Sequence, residues 1–169
     1  MLARVIEVRP LRAGDAPAVH SLIGDPAVAV WLRRAGVSQP FTLEECEGFV
    51  RAQMGHWSAH GFGLSLAWDG ADCVAWSLLQ HCIVAGASEV EIGWTVASAR
   101  WGEGIATQMG QHALARAASV GLDTVIAYAR VDNAASLRVI EKLGLVYERE
   151  FEHAGRPHVV YRGTVGDGS

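Results

Sequence analysis

The sequence predicts a mixed α/β domain, with one sheet of six or seven strands and helices on both faces. Strand-like runs dominate the first hundred positions, two glycines then precede an apolar-periodic helix, and strand and helix patterns alternate to the end. Half of the 169 residues are hydrophobic and 19% are charged, which is typical of a chain with a folded core. The predicted order is a meander of four strands followed by αβαββ.

The first half of the chain carries three of these patterns. "RVIEVRPLR" alternates as a strand, and Asp15 is expected to cap a short helix after it. Thr42 and Glu45 form a capping box that opens a longer helix. "GLSLAW" and "CVAWSLLQ" flank the turn "DGAD" and predict a hairpin, and "EVEIGWTV" is a further strand.

The second half begins with a helix, because apolar residues recur on one face at Ile105, Met109, Ala113, Ala117 and Val120. Gly121 ends it. "DTVIAYAR" reads as a strand, "NAASLRVIEKLG" as a helix capped by Asn133 and ended by Gly144, and "LVYEREF" and "HVVYR" as closing strands. We expect a single domain over residues 1–163 and a flexible tail over 164–169.

Composition excludes several classes of protein. No stretch is long enough to span a membrane, and the start "MLARVIEVRP" lacks the order of a signal peptide, so we expect a cytoplasmic protein without a membrane partner. The three cysteines are odd in number and lack metal-ligand spacing, which indicates free thiols at Cys46, Cys73 and Cys82. A net charge of -4 without a long basic run disfavours nucleic acid and favours cationic or neutral substrates.

Gly102 and Gly104 lie between a strand and a helix, where the free N–H groups of the first helical turn suit an anion. A P-loop is excluded because no lysine follows Gly104. A dinucleotide fingerprint is weakened by Thr107, although Asp123 stands 19 residues after Gly104. A turn without a ligand is the third alternative.

Two longer stretches carry a family resemblance. "WGEGIATQMGQHAL" and "DNAASLRVIEKLGLVYE" together resemble the acetyl-CoA-dependent GNAT N-acetyltransferase superfamily, and within it the ribosomal-protein N-terminal acetyltransferases. The opening "VRPLRAGDAPAVHSLIGDPAV" is similar to the start of that subgroup. The resemblance implies a GNAT fold with a mostly antiparallel sheet, acetyl-CoA as acyl donor and no metal. It implies transfer to a primary amine of a protein N-terminus or a small molecule, and it allows a homodimer.

The resemblance also implies which residues hold the coenzyme. The family's pyrophosphate motif falls on six consecutive residues, with tryptophan where glutamine or arginine is usual: Trp101, Gly102, Glu103, Gly104, Ile105 and Ala106. Thr107 follows the motif and is also expected to bind the coenzyme. Asn133 and Ser136 fall on the family's N-x-x-S. A backbone N–H on the strand at Trp94, Thr95 or Val96 is expected to polarise the thioester carbonyl.

Acyl transfer from a thioester to an amine also needs a base and a proton donor. The resemblance favours Glu91 as the base, with Glu89 as an alternative on the same face. Ile140 occupies a position where many members carry a tyrosine acid, so Ser136 is the first candidate for the acid. Tyr128 and Tyr147 are further candidates.

Other polar and aromatic residues give weaker indications. His56 and His60 have metal-compatible spacing but no third ligand, so no metal site is predicted. Cys82 follows His81 without a sign of activation, so we expect direct transfer in a ternary complex. Trp31 or Trp57 is expected to line an acceptor cleft. A catalytically inactive CoA-binding module and a dinucleotide-binding protein are the competing interpretations.

Overall fold

The computed structural model describes residues 6–166 of the chain. The strands are β1 Glu7–Pro10, β2 Ser65–Asp69, β3 Asp72–Val84, β4 Ala87–Val96, β5 Thr124–Arg130, β6 Val146–His153 and β7 Arg156–Thr164. The helices are α1 Ala16–Ile23, α2 Pro26–Leu32, α3 Leu43–His60, α4 Ile105–Ser119 and α5 Ala134–Lys142. Within this range the strands form one seven-stranded sheet, in the spatial order β1-β2-β3-β4-β5-β7-β6.

The sheet contains a single parallel pair among the described strands. β1 to β4 are antiparallel neighbours, and β7 is antiparallel to both β5 and β6. β4 and β5 run parallel and are paired at one position, Glu91 opposite Ile126. Because the two strands separate after that pair, the sheet opens towards their C-terminal ends. The predicted mixed, mostly antiparallel sheet of the GNAT fold is confirmed.

Helices cover both faces of the sheet, as predicted. Leu66 on β2 packs in a core cluster with Val19 of α1 and Val50 of α3. The next residue, Ala67, points to the opposite face and packs with Met109 of α4, as strand alternation requires. Farther along that face, α4, α5 and β5 share another cluster through Ala113, Ile140 and Ala127.

The predicted capping box of α3 is confirmed. Thr42 Oγ1 accepts from the Glu45 N–H at 3.2 Å, and the Thr42 N–H donates to Glu45 Oε2 at 2.8 Å. Asp15 is the N-cap residue of α1, as predicted, but its side chain accepts no hydrogen bond from the helix. Its carboxylate instead accepts from the Arg9 guanidinium at 2.8 Å and from the Arg12 N–H at 2.7 Å, within a 3₁₀ turn.

Two further features differ from the sequence-based expectation. α2 was not predicted; it begins at Pro26 and is capped by Asp25, whose Oδ1 accepts from the Ala27 N–H at 2.9 Å. β7 extends to Thr164, and the Val165 N–H donates to Asp123 O at 2.7 Å, so the sheet reaches past residue 163. The rest of the expected tail, 167–169, lies outside the described residues, as does the beginning of the first strand pattern at Val5. No helix in residues 6–166 combines the length and the apolar character needed to cross a membrane.

Candidate active site

A cavity of about 710 Å³ lies where β4 and β5 separate. Its glycine side is formed by residues 101, 102 and 104–107 and by the exposed face of α5. Its hairpin side is formed by α2, the side chains of Glu91 and Tyr128, and the turn between β6 and β7. The two sides lie on opposite faces of the sheet, because Ala127 of β5 packs with α4 and α5 whereas Ile126 packs in a separate cluster with Tyr128.

Bare backbone forms the centre of the glycine side. Gly102 and Gly104 have φ of +83° and +81°, a region that glycine adopts without steric cost. No atom lies within 4 Å of the position that a Cβ would take on either residue, so the pair borders open space. In α4 the Gln108 N–H donates back to Gly104 O at 3.2 Å, and the N–H groups of residues 105–107 precede it. These donors, at the positive end of the helix dipole, suit an anion.

Side chains hold the glycine loop in place. The Trp101 indole N–H donates to Val96 O at 2.8 Å, which ties the loop to the end of β4. Arg100 pairs with Asp69 at 2.9 Å and with Glu103 at 2.8 Å. Among the residues predicted to hold the coenzyme, Glu103 is the one that does not line the cavity.

The first turn of α5 borders the same side. Asn133 Oδ1 accepts from the Ser136 N–H at 3.2 Å, so the predicted cap is confirmed. Both residues line the cavity, and the half-buried Ser136 hydroxyl has no hydrogen-bond partner among the described residues. Arg138 and Lys142 also line the cavity, and neither forms an ion pair with a described residue.

β4 contributes backbone at the centre of the cavity. Trp94, Thr95 and Val96 pair with β3 along one edge. Their other edge faces the gap, because the pairing with β5 ends at Glu91. Amide groups that point away from β3 are therefore available to a ligand, as expected for this part of the strand.

Glu91 is the buried carboxylate of the cavity, with 8% of its surface exposed. Its Oε2 accepts from Gln80 Nε2 at 3.0 Å and from the Tyr128 hydroxyl at 3.5 Å. Gln80 is in turn held by Gln53 of α3, whose Nε2 donates to Gln80 Oε1 at 2.9 Å. Burial raises the pKa of Glu91 to about 7, and the two hydrogen bonds only partly oppose this effect. A carboxylate with this pKa can accept a proton near neutral pH.

Glu89, the alternative base, does not line the cavity. Its carboxylate pairs with the Arg162 guanidinium at 2.6 Å. This hydrogen-bonded pair lowers the pKa of Glu89, which makes it a weaker proton acceptor than Glu91.

Two of the three predicted proton donors line the cavity, Ser136 and Tyr128. Burial, together with the nearby charge of Glu91, raises the pKa of Tyr128 far above its usual value, so its hydroxyl stays protonated. Tyr147 lies elsewhere, exposed on β6 against the ring of Tyr161. Ile140 lies on the face of α5 that is buried in the core, and it does not border the cavity.

Side chains from distant segments build the hairpin side. The Arg130 guanidinium stacks on Trp31 of α2, 4.7 Å from the ring centroid, and donates to Val30 O at 3.1 Å. The Ala35 N–H donates to Ala154 O at 2.9 Å, so the segment after α2 touches the β6–β7 turn. Trp31 lines the cavity as predicted, whereas Trp57 does not; the Trp57 indole donates to Leu64 O.

Residues from the β6–β7 hairpin were missed by the sequence analysis, and no local motif marks them. The ring centroid of Tyr128 lies 5.2 Å from that of His153 and 6.0 Å from that of His158. His158 Nδ1 contacts Arg156 O at 2.9 Å. All four side chains line the cavity. The hairpin therefore places nitrogen donors on the same side as Glu91.

The charge of the cavity differs from that of the whole chain. Glu91 is the one carboxylate among its described lining residues, whereas six cations line it: Arg33, Arg100, Arg130, Arg138, Lys142 and Arg156. The net charge of -4 therefore does not describe this surface. The preference for cationic or neutral ligands that we drew from the net charge has no support in the lining.

The histidines considered as metal ligands, His56 and His60, and the thiol considered as a nucleophile, Cys82, lie outside the cavity. His56 contacts Phe62 O through Nδ1 at 2.8 Å and accepts from the His81 N–H through Nε2 at 3.0 Å, so both of its nitrogens are used. Within residues 6–166 no group of three His, Cys, Asp or Glu side chains could hold a metal ion. Burial raises the pKa of the Cys82 thiol to about 12.

A family model for the acetyltransferase (GNAT) domain matches residues 6–146. The chain belongs to the GNAT acetyltransferase family. A search of curated protein sequences found no match.

Solved structures share the fold of this acetyltransferase. A Salmonella typhimurium acetyltransferase that modifies the N-terminal serine of ribosomal protein L7/L12 is 19% identical, covers 97% of each chain and has a TM-score of 0.78. The ribosomal-protein-S5-alanine acetyltransferase of Vibrio fischeri is 18% identical over 96% of this chain and 94% of its own, with a TM-score of 0.75. A further Salmonella typhimurium protein, solved with its cofactor acetyl-CoA, is 14% identical over 96% and 95%, with a TM-score of 0.71.

Proposed function

We propose that this acetyltransferase moves an acetyl group from acetyl-CoA to a primary amine by direct transfer in a ternary complex. The observation that carries the proposal is the position of Glu91. A buried carboxylate with a pKa near 7 lies on one side of the β4–β5 gap, and backbone donors for an anion lie on the other. One cavity can therefore bind both substrates at once.

The glycine side would bind the coenzyme. N–H groups at the start of α4 would hold the pyrophosphate, since Gly102 and Gly104 leave the backbone open to close approach. Arg138 and Lys142, which lack ion pairs to described residues, would face the remaining phosphate charge. The thioester would then lie in the gap beside β4.

The chemistry follows from this placement. A free α-amine has a pKa near 7.8 and a lysine amine near 10.4, so each must lose a proton before it attacks. Glu91 would take that proton, directly or through a water molecule, and the nitrogen would form a bond to the carbonyl carbon. A β4 amide N–H would stabilise the oxyanion. The nitrogen, now bonded to carbon, would lose its second proton to solvent. The C–S bond would then break, and the departing thiolate would take a proton from the Ser136 hydroxyl, which solvent restores.

Direct transfer is favoured by the state of the cysteines. Cys46 is buried in the core between α1 and α3, and burial raises the pKa of Cys73 to about 11 and that of Cys82 to about 12. None of the three lines the cavity. Because only a thiolate is an effective nucleophile, an acetyl-cysteine intermediate is disfavoured.

The acceptor is a primary amine of a protein N-terminus or of a small molecule. A protein N-terminus has support from a protein of the same fold that modifies the N-terminal serine of ribosomal protein L7/L12, and from a second that is a ribosomal-protein-S5-alanine acetyltransferase. We assign this activity to a single domain of a cytoplasmic enzyme that needs no metal and no nucleic acid, and a homodimer is compatible with it.

A thiol-release assay tests the proposal. The purified chain, acetyl-CoA and a panel of amines should release coenzyme A, with acetylated amine found by mass spectrometry. Acetyl-CoA, and not NAD, should raise the melting temperature, because a ligand that binds the native state stabilises it. Stabilisation by acetyl-CoA without release in the presence of any amine would favour an inactive CoA-binding module, and stabilisation by NAD alone would favour a dinucleotide-binding protein.

A further inference from the structure

The cations of the cavity fall into two groups. Three are neutralised by a carboxylate of the chain itself, in the pairs Arg33–Glu45, Arg100–Asp69 and Arg130–Asp132. The other three have no ion-pair partner within 4.0 Å among residues 6–166: Arg138, Lys142 and Arg156. These three charges are therefore available to a ligand.

Arg156 differs from the other two in its position. Arg138 and Lys142 lie on α5, where coenzyme phosphates would account for them. Arg156 is the first residue of β7 and lies on the hairpin side, opposite His153 in the β6–β7 register. Its Nε is buried without a hydrogen-bond partner. A buried guanidinium N–H without a partner costs free energy, so the site lacks an acceptor that a ligand can supply.

Asp132, an acidic side chain that interacts electrostatically with Arg156, does not fill this role. Asp132 accepts from Arg130 Nε at 2.9 Å through Oδ1, and its other oxygen accepts from the same guanidinium. Arg130 is the main cause of the lowered pKa of Asp132, and Arg156 contributes only weakly, at a distance beyond that of an ion pair. Both carboxylate oxygens of Asp132 are thus hydrogen-bonded to Arg130.

Contacts connect Arg156 with the proposed base. The Tyr128 hydroxyl lies 3.5 Å from Glu91 Oε2. The other end of this side chain packs against His153, the register partner of Arg156. Tyr128 and His153 thus lie between Glu91 and Arg156 in a chain of neighbours, and all four residues line the cavity. The Glu91 carboxylate suits an amine, and the Arg156 guanidinium, which has no ion-pair partner among the described residues, suits an anionic group of the same molecule.

We propose that the amine substrate carries an anionic group, and that the Arg156 guanidinium binds this group while Glu91 takes the proton of the amine. The guanidinium fork matches the geometry of a carboxylate or a phosphate and forms charge-assisted hydrogen bonds with it. Such an anion belongs either to a small amino acid or to an acidic residue behind the N-terminus of a peptide. The inference rests on the proposed acetyl transfer and specifies the acceptor of that same site.

Matched acceptor pairs test the proposal. One pair is 4-aminobutyrate and its amide, and the other is a serine–aspartate dipeptide amide and its serine–asparagine counterpart. The wild type should acetylate the anionic member of at least one pair with a kcat/KM about tenfold or more above that of the neutral member. Preference in the first pair identifies a small amino acid as the source of the anion, and preference in the second pair alone identifies a peptide N-terminus.

Variants connect this preference to one side chain. Arg156→Gln should raise KM for the anionic acceptor about tenfold, with little change in kcat and no change for the neutral acceptor. Arg156→Lys should retain part of the preference, because it keeps the charge but not the fork. Arg34→Gln is the matched control, since Arg34 is an exposed arginine after α2 that does not line the cavity. It should keep the full preference.

Two outcomes would overturn the inference. One is a wild type that acetylates both members of each pair equally well. The other is an Arg156→Gln variant that loses activity equally on anionic and neutral acceptors, which would show a structural role. Either result leaves acetyl transfer itself intact, whereas the absence of coenzyme A release with every amine would reject the proposed function.

Discussion

On the glycine side of the cavity, the groups offered to a ligand are main-chain N–H groups from the short stretch between Trp101 and Thr107, with the cap of α5 beside them. On the hairpin side they are side chains that come from α2, β5 and the β6–β7 turn, such as Trp31, Arg130 and Arg156. The first side is local in sequence and made of backbone. The second is assembled over more than a hundred residues and is made of side chains.

This difference indicates what each side recognises. Backbone donors at a helix N-terminus require only glycine-compatible dihedral angles, so they bind an anion whatever side chains surround them. Side chains on the hairpin side can change without disturbing the loop, because they belong to other elements. Under the proposed function, the glycine side would bind the common acyl donor, and the hairpin side would select the amine.

The largest expected effect comes from Glu91, which lies on the hairpin side of the cavity beside the β4–β5 gap. Glu91→Gln should lower kcat about 10²- to 10⁴-fold at pH 7, because the variant has no base for the amine proton. In the wild type, protonation of Glu91 should steepen the fall of kcat/KM as the pH drops below about 7, whereas the variant should show only the fall that protonation of the amine itself causes. Glu89→Gln is the matched control and should keep nearly full activity, since Glu89 pairs with Arg162 outside the cavity. An equal loss in both variants would remove Glu91 from the role of base.

The same variant should be more stable than the wild type at high pH. The pKa of Glu91 rises from 4.5 to about 7 on folding, so the folded state binds more proton than the unfolded state between these values, and stability falls as the pH rises through them. At pH 8 Glu91→Gln should gain at most roughly 3 kcal/mol in the free energy of unfolding, and much less at pH 5. Urea unfolding at both pH values measures this. A variant less stable than the wild type at pH 8 would contradict the claim that the ionised Glu91 carboxylate destabilises the folded state.

An intermediate effect is expected from the glycine loop. Gly104→Ala should raise the Kd for acetyl-CoA about tenfold, because the added Cβ occupies the open space at the loop and strains a φ of +81°. Gly121→Ala is the matched control, since Gly121 has a φ of +75° and the same open surroundings at the far end of α4. Both variants should lose similar stability in thermal unfolding. Equal acetyl-CoA affinity in the two would show that the loop only forms a turn.

The smallest effect is expected at α5. Ser136→Ala leaves the cap of the helix intact, because Asn133 accepts from the backbone N–H of residue 136. If the hydroxyl protonates the thiolate, kcat should fall several-fold with no change in acetyl-CoA affinity, and an acetyl thioester with a more acidic thiol should restore the rate. A change in affinity alone would make Ser136 a coenzyme contact.

Much of the fold could be predicted because its signals are local. Capping boxes, turn glycines and apolar periodicity gave the order of the elements, including the cap at Asn133. α2 was missed because "PAVAVWL" is apolar throughout and shows no helical period, so that the cap at Asp25 and Pro26 are its only local helix signals. The Asp15 carboxylate was misassigned because its partner Arg9 becomes accessible only through the 3₁₀ turn. The need for glycine at Gly110 could not be predicted, because only the packing shows that a Cβ there would clash with the Leu143 side chain.

The candidate site divides in the same way. The glycine loop and the cap of α5 could be found from motifs, and Glu91 could be named from the family resemblance. The raised pKa of Glu91 could not be predicted, because it results from burial in the folded chain, which the hydrogen bonds from Gln80 and Tyr128 only partly oppose. Arg156 and His153 carry no motif, and they reach the cavity through two long-range contacts, the pairing of β7 with β5 and the contact of the hairpin with the segment after α2.

Initial rates at several fixed amine concentrations, with acetyl-CoA varied, test the central claim that both substrates occupy the cavity together. The account predicts reciprocal plots that intersect. It also predicts intact protein of unchanged mass after incubation with acetyl-CoA alone, because no cysteine lines the site. Parallel lines, or an acetylated protein formed in the absence of amine, would contradict direct transfer.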